Sequence, residues 1–133
     1  MNGRISKRHS LPLVLFSIFT AISTISQAAI LRVPLDYPSI TAAVQAAASS
    51  DTIFVSPGTY TESIVVEGKS LVIRSTDGPL QTVITNNSNI NLATFRGAAA
   101  SGSVLEGFRL QGGNIGVLCE NAGPTIQIGR AHV

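Results

Sequence analysis

The chain has no tryptophan, one cysteine, one methionine and two histidines in 133 residues, and only 12% of it is charged. Each scarcity removes a class of protein. A single cysteine, Cys119, excludes an internal disulfide framework and a cysteine-based zinc site. His9 and His132 lie near the two ends, so the body between them has no histidine for metal binding or proton transfer. Basic residues do not cluster there either. Arg4, Lys7 and Arg8 stand in the first ten positions and Arg130 in the last four, which leaves five Lys/Arg against seven acids in between. A nucleic-acid footprint needs clustered Lys and Arg, and this body has none. The hydrophobic share of 44% argues against disorder, and the length suits one domain with a modest core.

A long uninterrupted apolar run is also missing. Leu11 to Ile25 comes closest, but Pro12, Ser17, Thr20, Ser23 and Thr24 break it, and a bilayer span takes about 20 apolar residues. Positive residues precede this stretch and Ser26-Gln27-Ala28 follows it. Residues 1–28 therefore read as a secretory signal peptide, cleaved between Ala28 and Ala29. The protein is expected to be secreted, to the periplasm, the cell surface or the medium, with no membrane span after cleavage. The last six residues, Ile128-Gly129-Arg130-Ala131-His132-Val133, resemble one reading frame of a sequencing adapter and are set apart as a translation artefact. On that reading the natural chain continues past Gln127, and the fragment, lacking a carboxyl-terminal cap, exposes an apolar edge.

Residues 29–127 form the body. Asp36-Tyr37-Pro38-Ser39 offers capping side chains and a first-turn proline. Ile40, Ala43, Val44 and Ala47 then recur at helical spacing, predicting a capping helix at about 39–48 that ends at Ser49-Ser50-Asp51. After Asp51 the period becomes two. Strand-like runs stand at 52–55, 63–66, 71–74, 82–85, 92–95, 104–110, 116–119 and 125–127, separated by Gly-, Asn- and Pro-rich turns. One series, Ile64, Val83, Val104 and Thr125, and a looser one, Phe54, Val72, Thr94 and Val117, share a period near 20. Two interleaved strand series of that period predict a solenoid of stacked coils. The fold class is all-β, a right-handed parallel β-helix of about four coils, its first coil covered by the helix.

The run from Asp36 through the Ala-rich helix to Asp51-Thr52-Ile53-Phe54-Val55-Ser56-Pro57-Gly58-Thr59-Tyr60-Thr61-Glu62 resembles the opening of pectin-lyase-like right-handed parallel β-helix proteins. Pectin methylesterases open similarly. Ser103 to Leu110, Gly112-Gly113 and Cys119 to Ile126 are more similar to exported bacterial β-helix repeat proteins. The resemblance covers residues 30–127. It implies the fold and admits both enzymes and non-enzymes.

No catalytic constellation is visible. The resemblance implies paired aspartates with Gln and Arg for an esterase, but Asp36, Asp51 and Asp77 each sit at a cap or turn. A lyase would need carboxylates clustered for calcium and a basic proton acceptor, whereas Glu62, Glu67, Glu106 and Glu120 are scattered. Arg74, Arg96 and Arg109 either form a basic strip on one face or are solvated strand ends, the commoner case. Cys119, without a basic partner, reads as an inward-stacked core residue. Asn86 to Asn91 reads as a turn that satisfies its own backbone, with Asn86-Asn87-Ser88 a formal glycosylation acceptor. Tyr60 fits packing better than sugar stacking. Gly112 to Gly116 joins two strands, unlike a phosphate-cradling loop. No catalytic residue, metal or cofactor is assigned. The expected function is an exported scaffold that contacts a surface or a glycan, with acidic polysaccharide or another glycan as partner. The alternative is the amino-terminal part of a pectinesterase-like or lyase-like enzyme whose catalytic coils lie elsewhere.

Overall fold

The structure is a computed structural model and describes residues 25–129, 131 and 132. Most of the leader read from the sequence, residues 1–24, lies outside the described residues. Ser26, Gln27, Ala28 and Ala29 are exposed and belong to no helix or strand.

Among the described residues twelve short strands and one α-helix follow. They are β1 (Ile30–Val33), α1 (Ile40–Ala46), β2 (Thr52–Val55), β3 (Gly58–Thr61), β4 (Ile64–Glu67), β5 (Val72–Ser75), β6 (Thr82–Asn86) and β7 (Ala93–Arg96). A 3₁₀ turn at Ala98–Gly102 leads to β8 (Val104–Glu106), β9 (Arg109–Gly112), β10 (Val117–Glu120), β11 (Thr125–Gln127) and β12 (Ala131–His132). The strands form three sheets, ordered β1-β2-β5-β8-β11, β3-β6-β9-β12 and β4-β7-β10. From β2 onward, successive strands fall in the first, second and third sheet in rotation. Every pairing is parallel.

Register gives the core its form. In the first sheet Leu31, Ile53, Ile73, Leu105 and Ile126 stand in one column. In the third sheet Val66, Phe95 and Cys119 do the same. Parallel partners lie about 4.8 Å apart and present the same face, so each column is a continuous apolar stack. Fully burying one such side chain contributes roughly 1.5–3 kcal/mol. Ile53, Ile73, Leu105, Val66 and Phe95 are all fully buried. Three buried hydroxyls find partners: that of Ser75 meets that of Thr82 at 3.0 Å, and Ser103 Oγ accepts the Leu71 N–H at 3.0 Å.

The two strand series expected from a period near 20 are not the ones the chain uses. Ile64, Val83 and Val104 fall in three different sheets, and only the Val104–Thr125 step is a paired register. In the looser series Phe54 pairs with Arg74 rather than Val72, and Thr94 pairs with Leu118 rather than Val117. The strands take three sheets in rotation, and the separation of paired strands varies because loops of unequal size join them. Ile53 and Ile73 are 20 residues apart, Ile73 and Leu105 are 32 apart.

Local differences have simple causes. The run 104–110 is two strands in two sheets, broken at Gly107-Phe108. Gly107 has φ +79°, and a Cβ there would approach Ser75 Cβ at 3.2 Å. At Gly113, φ +74°, a Cβ would lie 2.9 Å from the Ile90 carbonyl oxygen, so only glycine lets this loop rest on the one beneath. The helix is shorter than expected, at Ile40–Ala46. Ser39 is its N-cap, accepting from Ala42 N–H at 3.0 Å, with Pro38 just outside. Ala131–His132 pair with Leu110 and Gln111; a short extended peptide adds to an open parallel edge whatever its codons' origin.

Among the described residues no helix is long and apolar enough to cross a membrane.

Candidate functional site

Of the acidic residues singled out in the sequence, Asp36, Asp51 and Glu62 accept backbone N–H groups, whereas Asp77 meets a hydroxyl and Glu106 and Glu120 pair with arginines. Asp36 accepts the Arg32 N–H at 3.0 Å, and Asp77 pairs with the neighbouring Thr76 hydroxyl. Asp51 is buried and accepts from Ala48 N–H at 2.8 Å and Ala29 N–H at 2.7 Å. Glu62 caps α1 from outside its own segment, taking the Thr41 N–H at 2.6 Å, the Thr41 hydroxyl at 2.9 Å and the Ile40 N–H at 3.3 Å. That role was not legible in sequence, because the donors lie more than 20 residues away. At the other end of α1, Lys69 Nζ donates to the carbonyls of Val44 and Ala47. Among the described residues no group of three or more His, Cys, Asp or Glu side chains is placed to hold a metal ion.

The three arginines do not form a basic strip. Arg74, Arg96 and Arg109 lie in three different sheets. Arg74 Nε donates to Glu106 at 2.7 Å and Arg96 Nε to Glu120 at 2.5 Å, both at the surface. Arg109 Nε is buried without a hydrogen-bond partner. Cys119 continues the inward column of Val66 and Phe95 yet is exposed. Its expected burial fails because β10 is the last strand of its sheet among the described residues. Tyr60 packs against the core and donates its hydroxyl to the Ser56 carbonyl at 2.8 Å. Burial, and secondarily the nearby Glu62 carboxylate, raise its pKa above the usual tyrosine value. In the asparagine-rich turn, Asn86 Oδ1 accepts the Ser88 N–H at 2.7 Å, and the rest of the turn pairs with the glycine loop, Gly113 N–H donating to Asn86 O and Asn114 N–H to Ile90 O.

The residues that come together are others. On the outer face of the first sheet, register sets Arg32, Phe54, Arg74 and Glu106 in one column. Ile53 and Val55 point into the core, so Phe54 between them points out, half-buried. Beside it lies a cleft of about 310 Å³ lined by Arg32, Leu35, Phe54, Ser56 and Thr76. Leu35 is largely exposed. Among the described residues the ion pairs are those of Arg74 and Arg96, so the Arg32 guanidinium has no carboxylate of its own. The cleft thus combines an aromatic face, a free cation and two hydroxyls, and holds no carboxylate or imidazole for acid–base chemistry. Phe54 escaped the sequence reading because Ile53-Phe54-Val55 is apolar throughout, which leaves the phase of alternation undefined.

Comparison with protein-family models, with curated proteins and with solved structures finds no match.

Proposed function

We propose that the chain is an exported right-handed parallel β-helix module of the pectin-lyase-like kind, a scaffold that holds an acidic glycan on the outer face of its first sheet. The rotation of strands through three parallel sheets supports the β-helix, with each circuit of the chain laid on the one before. The leader read from residues 1–28 supports export.

The observation that carries the glycan assignment is the Arg32–Phe54–Arg74 column with its adjoining cleft. An aromatic face packs against the C–H face of a sugar ring. A guanidinium binds a carboxylate through two parallel N–H donors, and the hydroxyls of Ser56 and Thr76 suit sugar hydroxyls. Repeating uronate residues would meet this combination along one direction. The lining residues place no carboxylate or imidazole beside the Ser56 and Thr76 hydroxyls to activate them, which favours holding over cleavage.

Titration of the exported protein with oligogalacturonate, followed by calorimetry, tests the reading. Binding is expected that weakens as salt is raised and falls at least about tenfold in Arg32→Ala or Phe54→Ala, a loss near 1.4 kcal/mol. Arg96→Ala, in another sheet, is expected to bind normally. Equal affinity for a neutral oligosaccharide, or no effect of Arg32→Ala, contradicts it. Release of unsaturated fragments or methanol from the polymer would move the assignment to an enzyme.

A further inference from the structure

Asp51 is only 6% exposed. Its two oxygens accept from the backbone N–H groups of Ala29 and Ala48, at 2.7 and 2.8 Å. Among the described residues it takes part in no ion pair. A buried carboxylate held by two backbone amides has its oxygens hydrogen-bonded but, among the described residues, no cationic partner, and buried carboxylates are normally paired. The Ala29 nitrogen that touches it belongs to the peptide bond at which the leader reading places cleavage. Ser26, Gln27 and Ala28 are exposed and outside any regular element, so a peptidase can reach that bond. Ala29 is held from its other side too, because its carbonyl accepts the Thr52 N–H at 2.9 Å.

We propose that hydrolysis of the Ala28–Ala29 bond supplies the missing countercharge, the new α-ammonium of Ala29 forming an ion pair with Asp51. The inference rests on the leader reading. Water adds across the peptide bond under an endopeptidase of the export machinery. Its oxygen joins the Ala28 carbonyl carbon, which leaves as a carboxylate, and the Ala29 nitrogen departs with the electron pair of the broken bond and is protonated. A neutral donor becomes a cation at a position already within hydrogen-bond distance of Asp51. Asp51 also holds the end of α1 through Ala48 and accepts, through its own carbonyl, the Val72 N–H at 3.1 Å. Processing therefore ties β1 and α1 more tightly to β2 and β5, and the product is more stable than its precursor.

The full chain, leader included, is produced in a bacterial host and the exported product is analysed by amino-terminal sequencing and intact mass. A first residue of Ala29 is expected; any other start refutes the leader reading, and the pair with it. On product beginning at Ala29, the α-amine is acetylated under native and denaturing conditions. Native acetylation is expected to be roughly tenfold slower, the factor one pK unit represents, and the acetylated protein to melt about 4 °C lower. Asp51→Asn in the same chain is expected to abolish both differences. Should that variant not be recovered, the acetylation of the unsubstituted protein decides. Equal native and denatured rates with an unchanged midpoint, on product that does begin at Ala29, overturn the ion pair while leaving the leader reading intact.

Discussion

The two ends of the strand stack meet solvent in different ways. At the first end α1 lies over the core and buries Ile40, Ala43 and Val44. Leu31, on the first strand of its sheet, is only 6% exposed, as if it were interior. At the other end the same columns continue through Ile126 and Cys119, but Ile126 is half-buried and Cys119 exposed. Residue type does not explain this, since isoleucine at 53 and 73 is fully buried and isoleucine at 126 is not. What differs is whether, among the described residues, a second layer lies beyond. In a stack of this kind, burial belongs to a position's neighbours along the column rather than to its own strand.

Substitutions along one column break that comparison most sharply. Ile73→Ala removes a fully buried side chain with strands on both sides and is expected to cost about 3–4 kcal/mol in chemical denaturation. Ile126→Ala, in the same column, is expected to cost less than about 1 kcal/mol, as surface-type positions do. Equal losses would mean that the last strand is covered in solution. A smaller effect is expected at the covered end. Glu62→Ala frees the first N–H groups of α1 and is expected to cost about 1–2 kcal/mol, the range of a lost N-cap, and to raise amide exchange in β1 and β2 while leaving β10 unchanged. The smallest is alkaline. Because the Tyr60 pKa is raised in the folded protein, its neutral form is favoured there. The associated stability is full below the ordinary tyrosine pKa of about 10 and is lost as pH rises through the higher folded value. Tyr60→Phe is expected to flatten unfolding curves only above about pH 10, and an equal effect at neutral pH beyond the lost Ser56 bond would contradict this.

Much of the architecture was legible because its signals are local. Alternation marked β2 and β4 to β7 to within a residue or so, and helical spacing found α1 with its Ser39 cap. β3 was masked by Pro57-Gly58, which reads as a turn although Gly58 begins the strand. β1 was masked by its position next to the stretch read as a leader. Register was out of reach for a different reason. Sheet partners lie 20 to 32 residues apart in one column, and the loop lengths that set those separations leave no periodic trace. The same limit hid the cleft. Arg32 meets Phe54 only through the pairing of β1 with β2, and Asp51 meets Ala29 across a separation of 22 residues. Contacts within a turn can be read from a sequence, whereas contacts between paired strands require the register.

Amide hydrogen exchange, resolved residue by residue, tests the central contrast most directly. The account expects strong protection in β2, β5, β7 and β8, protection in β1 nearly as strong beneath α1, and a steep fall through β10 and β11. Uniform protection to β11, or a β1 that exchanges as fast as β10, would contradict a burial that is full at β1 beneath α1 and lost at β10 and β11.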